Sequence, residues 1–170
     1  MELNKWHNTR TGAFDFAHTA QMLTEISGNS DQSQDPDIKL KATMKPILLC
    51  DLNKENLTDP EILPQVECVI TVCLLDYTSK DEGDYKRNLK KIVKLLKPGG
   101  HLILFGVLNT TYCIVGEEKF HAFKYDEKFV KEALIGEGLS IDYCEVNDRK
   151  GKSELSDYEA IIFIAAHKGK

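Results

Sequence analysis

Between residues 68 and 108 the chain sets two apolar runs, Cys68 to Leu75 and His101 to Leu108, on either side of one amphipathic stretch. No other pattern in the sequence limits the fold as much. Each run is continuous rather than alternating, which predicts a strand buried on both faces. In the stretch between them, Asp84 to Leu96, the residues Tyr85, Leu89, Ile92, Val93 and Leu96 form one apolar stripe and the Lys and Arg residues take the opposite face, so a helix is expected. Strand, helix and strand in that order predict two parallel strands joined by a right-handed crossover. Lys97-Pro98-Gly99-Gly100 closes the helix, because proline disfavours helical geometry in the residue before it and two glycines permit a sharp turn into the next strand.

The same punctuation extends the sheet in both directions. Pro46 to Cys50 reads as a further strand upstream. Downstream, Asp126 to Gly136 reads as a second helix, followed by strands at Ser140 to Val146 and Tyr158 to His167 across the polar stretch Asn147 to Asp157. Two strands joined by a loop predict an antiparallel finish. Near the N-terminus, Phe16, Ala20, Leu23 and Ile26 space a short helix over residues 14–27 that Gly28 ends, and Asn29 to Asp37, without an apolar residue, reads as a surface loop. No repeat or linker divides two cores, so residues 1–170 are read as one domain.

Charge and apolar run length exclude several classes of function. With 22 Lys and Arg against 27 Asp and Glu, and no basic block, nothing suggests a nucleic-acid partner. The longest apolar runs fall far short of the roughly 20 residues that a membrane helix needs. The N-terminus, Met1-Glu2-Leu3-Asn4-Lys5-Trp6, lacks the apolar core of a secretory signal, so a cytoplasmic location is expected. Five cysteines without CxxC spacing are read as buried reduced thiols and no metal is expected.

In open α/β sheets ligands bind beyond the C-terminal ends of the strands. That rule selects Cys50-Asp51-Leu52, Leu75-Asp76-Tyr77 and Gly106 to Thr110. A carboxylate at such a place either accepts a hydrogen bond from a ligand amine or caps the next helix. Lys97-Pro98-Gly99-Gly100 is not a phosphate cradle, because it ends a helix, where the dipole has the wrong sign for an anion. The chain holds no GxGxxG, GxxxxGK[ST], GxSxG or HExxH. Asp81-Glu82 and Glu117-Glu118 read as solvated acids, and no catalytic constellation emerges.

Taken in order, CDL after a strand, then CVITVCLLD, a helix ending in LLKPGG and then HLILFGVLNTTYCIVGEEKF, the sequence resembles the nicotinamide, indolethylamine and phenylethanolamine N-methyltransferase family. The likeness runs from Glu2 to Trp6 and Ala13 to Phe16 through to the last strand. Tyr112 with Ile114-Val115-Gly116-Glu117 and Lys119-Phe120 is its most particular part.

The resemblance implies a Rossmann-like class I methyltransferase sheet, mostly parallel with an antiparallel C-terminal strand. The family's first two strands and its glycine-rich loop would precede Met1, so the chain is expected to be a partial domain lacking them. The implied cofactor is S-adenosyl-L-methionine, and the implied reaction moves its methyl group to the nitrogen of a small amine or pyridine. By position, Asp51 matches the acid that holds the adenine amine, Leu52 offers its backbone beside it, and the Val72 backbone meets the methionine part. On the acceptor side Gly106, Thr110 and Ala122 stand where the nicotinamide enzyme has an aspartate and two serines, while Cys113 and Gly151 take tyrosine positions. No catalytic side chain is implied, since the chemistry is positioning of a charged methyl donor. A small-molecule partner and a monomer at full length are further implications. The alternative is a non-catalytic truncated paralogue that serves as a binding or regulatory remnant. With two strands missing, the four strands from Cys68 onward are expected to keep their pairing and residues 1–45 to pack weakly.

Overall fold

The structure is a computed structural model that describes Met22, residues 42–45 and residues 47–170. It divides into two compact units, Met1–Leu49 and Cys50–Lys170. The helix expected over residues 14–27 and the polar loop at 29–37 lie outside the described residues, Met22 excepted, which is helical. The expectation of weak packing for residues 1–45 lies largely outside them too.

In the second unit the chain runs β1 (Val66–Val72), α1 (Leu74–Thr78), α2 (Glu82–Lys94), β2 (Leu96–Leu108), a hairpin of β3 (Tyr112–Val115) and β4 (Glu118–His121), then α3 (Glu127–Gly136), β5 (Leu139–Asp148) and β6 (Ala160–Lys168). The main sheet has four strands in the order β1-β2-β6-β5. β1 and β2 pair in parallel across the crossover helix. β6 lies antiparallel to both β2 and β5, so three strands run one way and β6 opposes them. The expected set of four strands and the expected antiparallel last strand are both present.

Local chemistry sets the helix ends. Asp81 caps α2 by accepting from the Asp84 amide at 2.8 Å, and acids in the first turn with Lys91 and Lys94 in the last complement the helix dipole. Asp126 caps α3 in the same way from the Phe129 amide at 2.8 Å. The predicted stripe Tyr85, Leu89, Ile92 and Val93 is buried, and it joins Val130, Ala133 and Leu134 of α3 in one core with Leu102, Leu104, Ile162, Ile164 and Ala166. Register makes that core, because Ala166 lies opposite Leu102 and Ile164 opposite Leu104. Truncating any one of these leucines or isoleucines to alanine would cost about 2–5 kcal/mol.

Several expectations are corrected. Ile47 to Cys50 form no strand. The chain turns directly afterwards, the Asp51 amide donating to the Leu57 carbonyl at 2.8 Å, and a strand without a ladder has nothing to satisfy its backbone. β1 stops at Val72 rather than Leu75, because Cys73 adopts φ 50 and starts α1. Lys97-Pro98-Gly99-Gly100 lies within β2 as a break in register, since Val66 pairs with Leu96 and Cys68 already pairs with His101. Glycine is required there: Gly99 has φ 77, and a Cβ on Gly100 would meet the Val66 and Glu67 carbonyl oxygens at 3.2 Å. All five cysteines are free thiols as expected, but none is fully buried, and Cys50 and Cys68 are exposed. Cys68 shares with Ile70 and Val72 a face of β1 that the other described residues leave exposed.

Candidate cofactor and acceptor site

Two groups of residues hold the positions that follow the apolar runs of the sequence. The first is a turn after Cys50, where the Asp51 carboxylate accepts from the Asn53 amide at 2.9 Å and from Asn53 Nδ2 at 3.1 Å. Both bonds go to Oδ1, so Oδ2 accepts neither. The Asn53 amide bond, then the Asn53 side chain and the nearby Lys54 and Lys91 charges, outweigh desolvation and hold the Asp51 carboxyl below its ordinary range. The turn is anchored to α2 by Lys91, whose Nζ donates to the Leu52 and Lys54 carbonyls at 2.8 and 2.9 Å. Between the turn, α1 and α2 lies a polar cleft of about 550 Å³, lined by Asp51, Leu52, Leu74, Thr78, Arg87 and Asn88 among others. That volume is in the range of small-molecule sites. An ionised carboxylate with a spare oxygen on its wall fits the amino edge of an adenine. The structure therefore brings Asp51 and Leu52 together in the cleft, whereas Val72 lies outside its lining and is 62% exposed on the edge strand.

The second group is buried. Asp76, 2% exposed in α1, accepts from the Tyr125 hydroxyl at 2.5 Å and from the Val107 amide at 2.9 Å, both at Oδ1. Burial pushes the Asp76 carboxyl above its ordinary range, and these bonds only partly oppose it. Gly106 fits against the pair: a Cβ there would stand 2.5 Å from the Tyr125 hydroxyl oxygen and 3.2 Å from Asp76 Oδ1. The absent side chain at position 106 is thus a packing requirement of this chain. Tyr85, fully buried, stacks at a tilt beside Tyr125 with ring centroids 5.2 Å apart, and its hydroxyl lies near that of Tyr125 without the geometry of a formed hydrogen bond.

Thr110 and Ala122, the other two acceptor-side positions, are both fully buried. The Thr110 hydroxyl donates to Asp157 Oδ1 at 3.0 Å, and the Ala122 amide donates to the Thr111 carbonyl at 2.9 Å. Asp157 also receives the Thr111 amide at 2.8 Å, the Thr111 hydroxyl at 2.5 Å and the Tyr112 amide at 3.3 Å. Desolvation alone would raise its pKa, but these four donors together hold it well below the usual carboxylate range. Arg149 pins the same region from the other side, donating to the carbonyls of Ser153, Ser156 and Tyr158. Sequence reasoning missed Tyr125, Asp157 and Arg149 as organisers of this end. Only Asp76 carried a local signal, its place after an apolar run. Cys113 joins the hairpin to Ser156 through an isolated bridge, and Gly151 is exposed in the polar stretch. Among the described residues no group of His, Cys, Asp or Glu is arranged to hold a metal ion, and no helix is long and apolar enough to cross a membrane.

This sheet, with its crossover helix and antiparallel last strand, is the fold of S-adenosylmethionine-dependent class I methyltransferases. It superposes on a S-adenosylmethionine-dependent methyltransferase from Clostridium acetobutylicum with a TM-score of 0.53 at 16% identity, covering 81% of this chain and 71% of that one. A SAM-dependent methyltransferase from Methanosarcina mazei gives 0.52 at 18% identity, over 63% of this chain and 62% of that one. At a finer level, the model of the NNMT/PNMT/TEMT family matches residues 1–169, and the chain belongs to that family. It is 30% identical to indolethylamine N-methyltransferase of Oryctolagus cuniculus over 98% of its length and 29% identical to human nicotinamide N-methyltransferase over 99%. With human phenylethanolamine N-methyltransferase the identity is 32% over 83% of the chain and 51% of that protein. The chain spans 64% of the length of the first two relatives.

Proposed function

We infer that the protein of which this chain is the whole or a part is a small-molecule N-methyltransferase using S-adenosyl-L-methionine. The observation that carries the reading is the Asp51 turn, a low-pKa carboxylate with an unused oxygen on the wall of a polar cleft, in a chain of this family. Asp51 would hold the adenine amine and Leu52 its ring edge, with Val72 contributing backbone at the methionine side. The cofactor supplies a sulfonium methyl, so the protein's task is to hold donor and nitrogen in line rather than to move protons. The acceptor would be a small amine or pyridine beside Gly106, Thr110 and Ala122. Gly106 offers no carboxylate to a pyridine amide, and a site without that partner loses discrimination for the group. Preference for an arylalkylamine or simple pyridine over nicotinamide follows.

The second reading is a non-catalytic remnant that binds or regulates. It is favoured by the burial of Thr110 and Ala122 and by the engagement of Thr110 with Asp157. Calorimetry with S-adenosyl-L-methionine separates the two. The chain as given is expected to bind it orders of magnitude more weakly than a chain extended to the length of its relatives, since each charge-assisted hydrogen bond lost costs about 1.5–3 kcal/mol. Absence of binding and turnover in the extended chain would leave only the remnant.

A further inference from the structure

The turn that carries Asp51 is fixed from two sides. Leu57 sits in the core, and its carbonyl accepts the Asp51 amide at 2.8 Å. On the other side stands Lys91, half-buried on α2, whose Nζ donates to the Leu52 carbonyl at 2.8 Å and to the Lys54 carbonyl at 2.9 Å. The Lys54 ammonium takes no part in this, being bonded to Asp59 at 2.8 Å. Lys94 reaches the same segment, but through the exposed Glu55 side chain at 2.7 Å, which leaves the backbone planes free. The peptide between Leu52 and Asn53 is trans, so its carbonyl and its N–H point opposite ways. Drawing the Leu52 carbonyl to Lys91 therefore turns the Asn53 N–H away from the lysine, and this N–H reaches Asp51 Oδ1 at 2.9 Å. Asn53 Nδ2 takes the same oxygen at 3.1 Å, and Oδ2 accepts neither bond.

We propose that Lys91 is a positioning residue for purine recognition: by fixing the Leu52–Asn53 peptide it commits Asp51 Oδ1 to the turn and presents Oδ2 to the 6-amino group of an adenine nucleoside. The proposal rests on the reading of Asp51 as the adenine acid. Two of the three donors of the Lys91 ammonium are taken by carbonyls, so the residue acts through the turn rather than on the purine. The ligand class selected is a 6-aminopurine, whose amine donates to the carboxylate. A 6-oxopurine sets an acceptor against an acceptor and is rejected. Without the Lys91 clamp the peptide is free to rotate, Asn53 no longer holds Oδ1, and the carboxylate has no fixed direction in which to tell the two purines apart.

The test compares the full chain with its Lys91→Met, Lys94→Met and Asp51→Ala variants. Binding of S-adenosylhomocysteine and of its hypoxanthine counterpart, S-inosylhomocysteine, is read at millimolar ligand from the amide shifts of Leu52 and Asn53. The wild-type chain is expected to prefer the adenine compound by about tenfold, the worth of one charge-assisted hydrogen bond. Asp51→Ala should abolish that preference, and Lys91→Met should cut it to roughly twofold or less. Lys94→Met removes the same charge from the same helix and should leave the preference intact. Without ligand, the Asn53 amide should exchange faster in Lys91→Met than in Lys94→Met. If Asp51→Ala loses the preference and Lys91→Met keeps it, the proposal falls while the cofactor reading stands. Equal weakening of both ligands by Lys91→Met overturns it as a general loosening of the turn, and the same loss of preference in Lys94→Met overturns it as an effect of charge alone. An Asn53 amide that exchanges alike in the two lysine variants overturns it as well. A wild-type chain that binds neither compound or prefers neither, or an Asp51→Ala variant that keeps the preference, removes the adenine reading and this proposal with it.

Discussion

Tyr125 donates its hydroxyl to Asp76 across 49 residues of sequence, and that one bond decides what position 106 can hold. A methyl group on Gly106 would collide with the donor oxygen, so the packing around Gly106 is set by a buried tyrosine in a loop outside the main sheet.

Gly106→Ala is accordingly expected to destabilise by about 1–3 kcal/mol through overpacking. Adding Tyr125→Phe removes the atom it strikes. In a double-mutant cycle followed by urea unfolding, the pair should cost clearly less than the sum of the singles; strict additivity would show that the collision is not the cause.

The two buried tyrosines should respond in opposite senses. Tyr125→Phe takes a donor from Asp76 and is expected to cost about 1–3 kcal/mol, whereas the Tyr85 hydroxyl has only the poorly aligned Tyr125 hydroxyl near it and Tyr85→Phe should be neutral or stabilising. Thermal melts of the two variants decide this, and an equal loss in both would refute it.

Asp157 and Asp76 give stability opposite pH dependences. The folded pKa of Asp157 is lowered, so its contribution is present above its unfolded value near 4 and is lost as pH falls from there. The Tm deficit of Asp157→Asn should thus be largest at neutral pH and shrink in acid. The folded pKa of Asp76 is raised, so the fold binds the extra proton and loses stability as pH rises from about 4 through that folded value. Asp76→Asn should therefore gain on wild type as pH rises. Parallel Tm profiles for wild type and either variant would exclude that variant's assignment.

Arg149 holds three carbonyls of the stretch between β5 and β6 and lies over the Tyr158 ring at 4.5 Å. A lysine supplies neither the fork nor the planar face. Arg149→Lys should accelerate tryptic cleavage at Lys150 and Lys152 while changing global stability little, and an unchanged cleavage rate would count against the clamp.

In a chain extended to the length of its relatives, Asp51→Ala should weaken S-adenosyl-L-methionine binding by about tenfold or more, the loss of one charge-assisted hydrogen bond. Calorimetry showing unchanged affinity would remove Asp51 from the cofactor site.

What could be read from the sequence was whatever depends on neighbours along the chain. The stripe Tyr85, Leu89, Ile92 and Val93 required a helix with one buried face, Asp126 to Gly136 read as a second helix, and the apolar runs at His101 and Tyr158 had to be covered strands. Periodicity and capping are local, so these survived folding, although β2 begins at Leu96, five residues before the expected His101. Tertiary structure alone decided whether a run found a ladder: Ile47 to Cys50 is as apolar as β1, yet only β1 has β2 beside it. It also decided which carboxylates are free. Asp51 and Asp76 occupy the same kind of place after an apolar run, but one lines a cleft with an oxygen to spare and the other is sealed under Tyr125 and the Val107 amide. The partners of Asp76 and Asp157 lie some 30 to 50 residues away, and no property of the intervening sequence encodes that distance except the closed fold itself.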